Sequence, residues 1–158
     1  MTTIDTARPT SVPEAVTLAD YDPARLDDLI PMWRASFERG VGVVDPHTLA
    51  EQRDYFLAQV LPQCDVRFAL RGNDLVGFVA ASPESVAQLY VRVGCQRQGI
   101  GTRMLDWAKV HSTGSLWLYA FAQNRVACAF YERHGFAVAA RGFEPNWRLD
   151  DVRYVWRA

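Results

Sequence analysis

The sequence has few cysteines, no long hydrophobic run and little net charge. Its three cysteines, Cys64, Cys95 and Cys128, form no CxxC pair, so neither a disulfide framework nor a zinc site is indicated. No stretch approaches the roughly 18 to 20 apolar residues that span a bilayer. The N-terminus also lacks the basic start and apolar run of a signal peptide. We therefore expect a cytoplasmic protein that binds neither a membrane nor a metal.

The charge balance argues against nucleic-acid binding. The 17 basic and 18 acidic residues give a formal net charge of -1, without the global positive potential that non-specific nucleic-acid binding needs. The charge is uneven, however. Residues 1–84 hold 13 acids and 7 bases, whereas residues 85–131 hold five bases and one acid. This local surplus favours an anionic ligand, although a basic surface face without a ligand is the alternative.

Length and composition fit one globular domain. The chain has 158 residues, of which 49% are hydrophobic and 22% charged, and this is typical of a domain with its own core. Residues 1–13 are polar and contain two prolines, so we expect them to form a flexible N-terminal arm. Residues 14–158 are predicted to form the single domain.

In the first half of the chain, the pattern predicts a strand followed by two helices. The strand is expected near residues 14–19. Asp22 and Pro23 suit the start of an amphipathic helix that stops near Gly40. A second helix is expected from Pro46 to just before Pro62. The apolar positions expected to face inward are Leu26, Leu29, Ile30, Trp33 and Phe37 in the first helix, and Leu49, Phe56, Leu57 and Val60 in the second.

The rest of the chain alternates strands and helices, which predicts an α/β fold with a mixed sheet. Residues 116–121 are apolar on both faces, which indicates a strand buried inside a sheet. The connection of residues 142–151 is expected to be a loop. The predicted elements are a hairpin at 64–81, a strand at 86–91, a helix from Ile100 to His111 closed by Gly114, the buried strand, a helix from Asn124 to His134, and strands at 136–140 and 152–156.

A glycine-rich segment, Gln96–Thr102, stands directly between a predicted strand and a predicted helix. Glycines let the backbone approach a ligand closely, and the unpaired amides at a helix start bind anions such as a pyrophosphate. The segment lacks both the GxGxxG spacing of dinucleotide folds and the GK(S/T) ending of phosphate-binding loops. This argues against NAD or ATP, and an ordinary tight turn is the alternative.

A second motif, Asn124–Phe136, reads NRVACAFYERHGF. Together the two motifs resemble the GCN5-related N-acetyltransferase (GNAT) family, whose cofactor loop reads (Q/R)xxGx(G/A) and whose later helix often reads NxxAxxFYExxGF. The resemblance implies the GNAT fold, a central mixed and mostly antiparallel sheet flanked by helices. The positions that match are Gln96, Gly99, Gly101, Asn124, Ala127, Phe130, Tyr131, Glu132, Gly135 and Phe136.

The activity that the resemblance implies is transfer of the acetyl group of acetyl-CoA to a primary amine in a ternary complex, without a metal. A homodimer is possible for such a protein. The alternative is a CoA-binding regulatory or interaction module with little catalysis. The residues expected to contact the cofactor are Leu89, Tyr90, Val91, Gln96, Arg97, Gln98, Gly99, Ile100, Gly101, Thr102, Asn124, Ala127 and Phe130.

Two of these expectations are specific. The resemblance implies that the backbone amide near Val91 polarises the thioester carbonyl. It also implies that Tyr131 protonates the departing thiolate, although a tyrosine beside Phe130 on a helix can equally be a core aromatic. Asn124 is in any case a favoured helix cap.

The general base does not carry over from the family. Many members place a glutamate on the central strand, whereas this chain has Ser85 and Ala87 at the corresponding positions. Alternation along a strand turns Glu84 to the opposite face. The candidates that act through water are Asp45, His47 and Glu144, each of which can also be a surface or turn residue.

Overall fold

A computed structural model describes residues 14–158, and the predicted arm at residues 1–13 lies outside the described residues. Within them the chain alternates strands and helices as α/β proteins do. The strands are β1 (Val16–Asp20), β2 (Asp65–Arg71), β3 (Asp74–Ala81), β4 (Val86–Val91), β5 (Ser115–Phe121), β6 (Ala137–Glu144) and β7 (Leu149–Arg157). The helices are α1 (Leu26–Val41), α2 (Leu49–Tyr55), α3 (Ile100–Val110) and α4 (Arg125–Arg133).

The strands form two antiparallel sheets that meet at one point. The first sheet has the order β1-β2-β3-β4 and the second β5-β7-β6. A parallel bridge between Ser85 and Trp117 joins the end of the first sheet to β5. The predicted mixed and mostly antiparallel sheet is therefore confirmed, with its only parallel contact among the described residues at this junction.

Helices cover both faces of the first sheet. Strand β3 shows this most clearly, because Phe78 packs against Trp33 of α1 on one face, while Val79 belongs to the cluster that includes Ile100 and Met104 of α3 on the other. Phe78 and Val79 are both fully buried. A strand with two buried faces holds its neighbours in fixed register, so β4 beside it offers a rigid edge.

The first helix begins as predicted and ends one residue later, at Val41. The Asp22 carboxylate accepts a hydrogen bond from the amide of Ala24 at 2.9 Å, with Pro23 starting a short 3-10 turn that leads into α1. The helix continues past Gly40 to Val41 and is capped by Gly42, which adopts a φ of +78° and donates its amide to the carbonyl of Glu38. Glycine closes helices in this left-handed conformation without the steric cost of a Cβ.

The second helix differs from the prediction at its start and on its buried face. It begins at Leu49 because Thr48 and Glu51 form a capping box, which satisfies the first free amides. A π-helical turn at Phe56–Val60 follows α2, and residues four apart face the core. Phe56 and Val60 are accordingly buried, whereas Leu49 and Leu57, which were expected to face inward, are exposed.

The last three strands also depart from the prediction. Strand β5 was predicted to be buried on both faces, but it is an edge strand of the second sheet once it diverges from β4. Leu116 and Leu118 on one face are buried, whereas Trp117 and Tyr119 on the other are 38% and 59% exposed. The predicted loop at residues 142–151 is mostly strand, since β6 and β7 pair from Glu144–Leu149 onward.

Candidate functional site

The two sheets separate beyond the bridge, and a cavity opens between β4 and β5. It has a volume of about 1160 Å³ and reaches from α4 to the connection between α1 and α2 and to the turn between β6 and β7. Among its lining residues are Leu89 and Tyr90 of β4, and Asn124, Ala127 and Tyr131 at the start of and along α4. Leu89 and Tyr90 of the predicted cofactor strand therefore meet Asn124, Ala127 and Tyr131 of the second motif at one opening. Residues 96–102 of the first motif are not among the lining residues of this cavity.

The unpaired edge of β4 turns backbone groups toward this opening. The amide of Arg92 donates to Val76 of β3 at 2.8 Å. Because consecutive residues of a strand direct their backbone groups to opposite edges, the amides of Val91 and Leu89 point away from β3. The carbonyl of Val91 confirms this direction, since it accepts the Ser36 hydroxyl at 2.8 Å and the Gln96 side-chain amide at 3.2 Å.

Tyr131 is both a core residue and a lining residue. Its side chain is 8% exposed, and its ring packs against Phe130 and Tyr154, with centroids 5.3 and 6.2 Å away. Burial, with a smaller contribution from the nearby hydroxyl of Tyr90, raises the pKa of Tyr131 well above its usual range. The group is therefore protonated at neutral pH, as a general acid must be before it acts.

The loop between β4 and α3 winds tightly through left-handed conformations. Gly94, Arg97 and Gly99 have φ angles of +89°, +63° and +79°. A left-handed arginine is strained, and such strain is found most often where the backbone serves a ligand. A Cβ added at Gly94 or Gly99 would meet nothing within 4 Å, so the space above this loop is open.

Helix α3 starts at the end of this loop without a side-chain cap. Gly99 occupies the cap position and has no side chain to accept from the first amides, which leaves them available to an anion. The two glutamine side chains of the motif form hydrogen bonds that hold the loop. Gln96 bonds to the carbonyl of Val91 and the amide of Gly94, and Gln98 accepts from Arg71.

Three predicted cofactor residues at the start of α3 fix the packing of this helix. Two of them do so through their side chains, and the glycine does so because it has none. Ile100 is 1% exposed and lies in the core. A Cβ added at Gly101 would lie 3.2 Å from Cζ of Phe130, so the missing side chain allows α3 to approach α4. The hydroxyl of Thr102 lies 3.0 Å from Nε2 of His134. The side chains of Ile100 and Thr102 are thus engaged within the protein.

Asn124 caps α4, as the sequence alternative predicted. Its side-chain oxygen accepts from the amide of Ala127 at 3.2 Å. The side-chain nitrogen lies 2.9 Å from the position of a Cβ added at Gly40, so α1 and α4 touch at this point. Asn124 also lines the cavity, and a cap is compatible with a cofactor contact through that nitrogen.

The candidate bases fall in different places. Ala87 lines the cavity, whereas Glu84 is exposed and lies outside the lining. Glu144 lines the cavity, but its carboxylate accepts the amide of Trp147 and so closes the turn between β6 and β7. Asp45 and His47 both line the cavity and contact each other.

Two residues that sequence reasoning missed support the site from outside the motifs. Ser36, on α1, fixes the carbonyl of Val91. Arg71, at the end of β2, holds Gln98 of the cofactor loop. Neither has a local signal, because a serine on an amphipathic helix and an arginine at a strand end are ordinary in sequence. Only the tertiary fold brings them to the loop.

Residues 14–158 contain neither a metal-binding cluster nor a membrane-spanning helix. In that part of the chain no cluster of three or more His, Cys, Asp or Glu side chains could hold a metal ion. No helix there has the length and apolar character needed to span a membrane.

Comparison with known proteins identifies the domain. The sequence profile of the family described as Acetyltransferase (GNAT) domain matches residues 62–138. This stretch contains β4, the loop before α3, and α4. The chain is also 28% identical to a protein of Mycobacterium tuberculosis named Probable N-acetyltransferase, in an alignment that covers 75% of this chain and 74% of that protein.

Solved structures share the fold over nearly the whole chain. A GCN5-related N-acetyltransferase of Rhodopseudomonas palustris superposes with a TM-score of 0.77 at 19% identity, covering 93% of this chain and 98% of that one. The PaiA N-acetyltransferase of Thermoplasma acidophilum, solved in complex with coenzyme A, gives a TM-score of 0.72 at 17% identity, covering 91% and 99%. The profile match over residues 62–138, the bacterial relative and the shared fold together support a GNAT acetyltransferase domain in this chain.

Proposed function

We propose that this protein transfers the acetyl group of acetyl-CoA to a primary amine by direct attack within a ternary complex. The observation that carries the proposal is the meeting of Tyr131 with Leu89 and Tyr90, on the unpaired edge of β4, at one opening between β4 and β5. The uncapped start of α3 follows β4 through the short loop described above. These three features supply a hydrogen-bonding edge, an anion site and a proton donor. Acetyl transfer from a thioester with a pyrophosphate-bearing carrier needs all three.

The residues present fit the cofactor on chemical grounds. The open space above Gly94 and Gly99 leaves room for a diphosphate at the amides that start α3. Arg92 and Arg97, both within this loop, are exposed and supply positive charge for it. The outward amides of β4 suit the amide groups of a pantetheine arm. Bound acetyl-CoA supplies the activated acetyl group.

The reaction then requires the chain to do three things. The cavity holds the acceptor amine in line with the thioester, which lowers the entropic part of the barrier. The Val91 amide, aimed away from β3, donates to the carbonyl oxygen as negative charge develops on it. The hydroxyl of Tyr131 gives its proton to the departing sulfur.

The test starts with cofactor binding, because it needs no acceptor. A ligand that binds only the folded state raises the melting temperature. At 100 times its Kd, acetyl-CoA is expected to raise that of a domain this size by on the order of 5 to 10 °C. Gly99→Asp places a carboxylate where the pyrophosphate is proposed to bind, and its melting temperature should no longer respond.

A matched control separates cofactor binding from backbone strain. Gly42 has a φ of +78° against +79° at Gly99, and a Cβ at either position meets nothing within 4 Å. Gly42→Asp therefore carries the same strain away from the loop, and should keep the full response to acetyl-CoA. With binding established, an amine panel followed by thiol release identifies acceptors. A wild-type melting temperature that does not move at saturating acetyl-CoA contradicts the proposed function.

A further inference from the structure

The connection between α1 and α2 places a histidine and a carboxylate on the wall of the cavity. Nδ1 of His47 lies 2.7 Å from Oδ1 of Asp45, and the same oxygen accepts the backbone amide of His47 at 2.9 Å. The Asp45 side chain is 10% exposed and that of His47 is 59% exposed. The carboxylate is thus held inside the connection, while the imidazole reaches the open volume.

The pairing fixes which nitrogen of His47 can accept a proton. An ionised carboxylate only accepts hydrogen bonds, so Nδ1 of His47 donates and carries the ring proton. The lone pair is then on Nε2, which has no protein partner among the described residues. A neighbouring carboxylate that orients a histidine in this way also stabilises the imidazolium that forms when Nε2 takes a proton.

Further contacts hold the pair in position. Nε of Arg34 lies 3.4 Å from the second oxygen of Asp45, and the same guanidinium donates to the carbonyl of His47 at 2.7 Å. On the other side, the His47 ring meets the edge of Trp147, with centroids 5.9 Å apart. Trp147 itself packs on Phe37, so the imidazole is braced against an aromatic wall of the cavity.

We propose that His47 is the general base of the reaction and that Asp45 is its positioning residue. This proposal rests on the proposed acetyl transfer. It also explains how the amine can lose its proton although β4 contributes no carboxylate to the cavity. Glu144, the other carboxylate candidate within the lining, is engaged at the turn of Trp147, which leaves the lone pair on Nε2 as the better acceptor.

His47 and Tyr131 together account for every proton that the reaction moves. The acceptor enters as an ammonium and gives one proton to Nε2 of His47, directly or through a water. Its nitrogen then attacks the thioester carbon, the C–N bond forms and the C–S bond breaks. Tyr131 protonates the sulfur and recovers a proton from the new amide nitrogen. The imidazolium returns its proton to solvent, so one proton is released for each acetyl group transferred.

The pH dependence of kcat/KM is the decisive measurement, because a structural role would not move it. The charged groups around His47 are Asp45 in its own connection, Arg34 and Glu38 on α1, Glu51 at the start of α2 and Glu144 at the turn that carries Trp147. All of these groups are retained when His47 alone is replaced, and Asp45 keeps its contacts with Arg34 and the backbone amide of residue 47. A change in the profile can then be assigned to the imidazole.

The experiment uses an acceptor found in the amine panel. We expect His47→Gln to lower kcat/KM by about 100-fold without changing the response of the melting temperature to acetyl-CoA. In the wild type kcat/KM should reach a plateau once the base has lost its proton, whereas in the variant it should rise with pH up to the pKa of the acceptor amine. Asp45→Asn should give a smaller loss, about 10-fold, and added imidazole should partly restore His47→Ala.

His111 provides the matched control. It is exposed on the C-terminal side of α3, its Nδ1 lies 2.8 Å from the carbonyl of Trp107, and it is outside the cavity. His111→Gln should keep both the wild-type rate and its pH profile. If His47→Gln keeps them as well, the proposal is overturned while the acetyltransferase function stands. If the wild type binds acetyl-CoA and acetylates no amine in the panel, both are overturned.

Discussion

The hydroxyl of Thr102 donates a hydrogen bond to Nε2 of His134 across 3.0 Å, joining the start of α3 to the end of α4. The direction follows from the other ring nitrogen, because Nδ1 of His134 lies 2.8 Å from the carbonyl of Phe130 and must donate to it. The ammonium of Lys109 holds the carbonyl of the same histidine at 2.6 Å. The proposed anion site and the helix that carries Tyr131 are thus connected through one imidazole.

Removing this hydrogen bond should weaken both stability and cofactor binding. Thr102→Val keeps the shape of the side chain and leaves Nε2 of His134 without its donor, at a cost of about 1 kcal/mol in the free energy of unfolding. Urea denaturation measures this loss, and titration with acetyl-CoA measures the accompanying rise in Kd. Thr102→Ser retains a hydroxyl and should stay close to the wild type. A Thr102→Val variant as stable as the wild type, with a less stable Thr102→Ser variant, would show that the methyl group, and not the hydrogen bond, matters.

Tyr131→Phe should separate turnover from binding. The variant keeps the ring that packs on Phe130 and Tyr154 but has no proton to give, so kcat should fall by about 100-fold or more. The Kd for acetyl-CoA should change by less than a factor of three, as judged by calorimetry. Because burial raises the pKa of Tyr131 above its usual range, the wild-type kcat should show no loss of this proton as the pH rises to 10.

Tyr154 is the control for that experiment. It is also a buried tyrosine, but its hydroxyl donates to Glu132 at 3.1 Å, away from the reaction. Tyr154→Phe should cost about 1 kcal/mol in the free energy of unfolding and leave kcat largely intact. If Tyr131→Phe turns over as fast as the wild type, Tyr131 is not the acid.

Asn124 can be tested for its two roles with two substitutions. Asn124→Ala removes the cap of α4, which should cost about 1 kcal/mol in the free energy of unfolding. Asn124→Asp keeps an oxygen that caps the helix but has no side-chain nitrogen. A rise in the Kd for acetyl-CoA in both variants, with loss of stability in the alanine variant alone, is the result expected if that nitrogen contacts the cofactor. An unchanged Kd in Asn124→Asp would leave Asn124 as a cap only.

Local signals in the sequence were sufficient for most elements of the fold. Asp22 and Asn124 start helices where predicted because their side chains accept the first free amides. The hairpin of β2 and β3 follows from alternation and a glycine turn. The exposed face of β5 could not be read in this way, because a run that is apolar on both sides does not reveal that the neighbouring strand diverges after a single bridge.

The sequence predicted those parts of the site that lie within one continuous segment of the chain. The loop from Gln96 to Thr102 and the helix that carries Tyr131 are contiguous motifs. The structure places Tyr131 in the cavity lining and the loop directly after β4, outside that lining. The sequence offered Asp45 and His47 only as two separate candidates for the base. Their spacing of two positions does not by itself predict that their side chains form a hydrogen bond. The contact of Ser36 with Val91 spans 55 positions, and no local pattern indicates it.

Three buried or partly buried tyrosines near the cavity should make the protein sensitive to alkali. Burial raises the pKa of Tyr90 to about 12, and raises the pKa values of Tyr131 and Tyr154 further. In the unfolded chain a tyrosine has a pKa of about 10. Between that value and the folded values, the native state keeps protons that the unfolded state has released, so stability must fall as the pH rises. Below pH 10 these groups have no effect.

Urea denaturation at pH 8, 10 and 11 measures this dependence. Each such tyrosine can contribute up to about 1.4 kcal/mol per pH unit to the slope of the unfolding free energy above pH 10. Tyr90→Phe keeps the ring that stacks on Phe78 and removes one of the protons, so its stability should fall less steeply than that of the wild type over this interval. A wild-type unfolding free energy that stays constant from pH 8 to 11 would mean that these hydroxyls ionise in the folded protein as readily as in water. The protected environment on which the acid role of Tyr131 depends would then be absent.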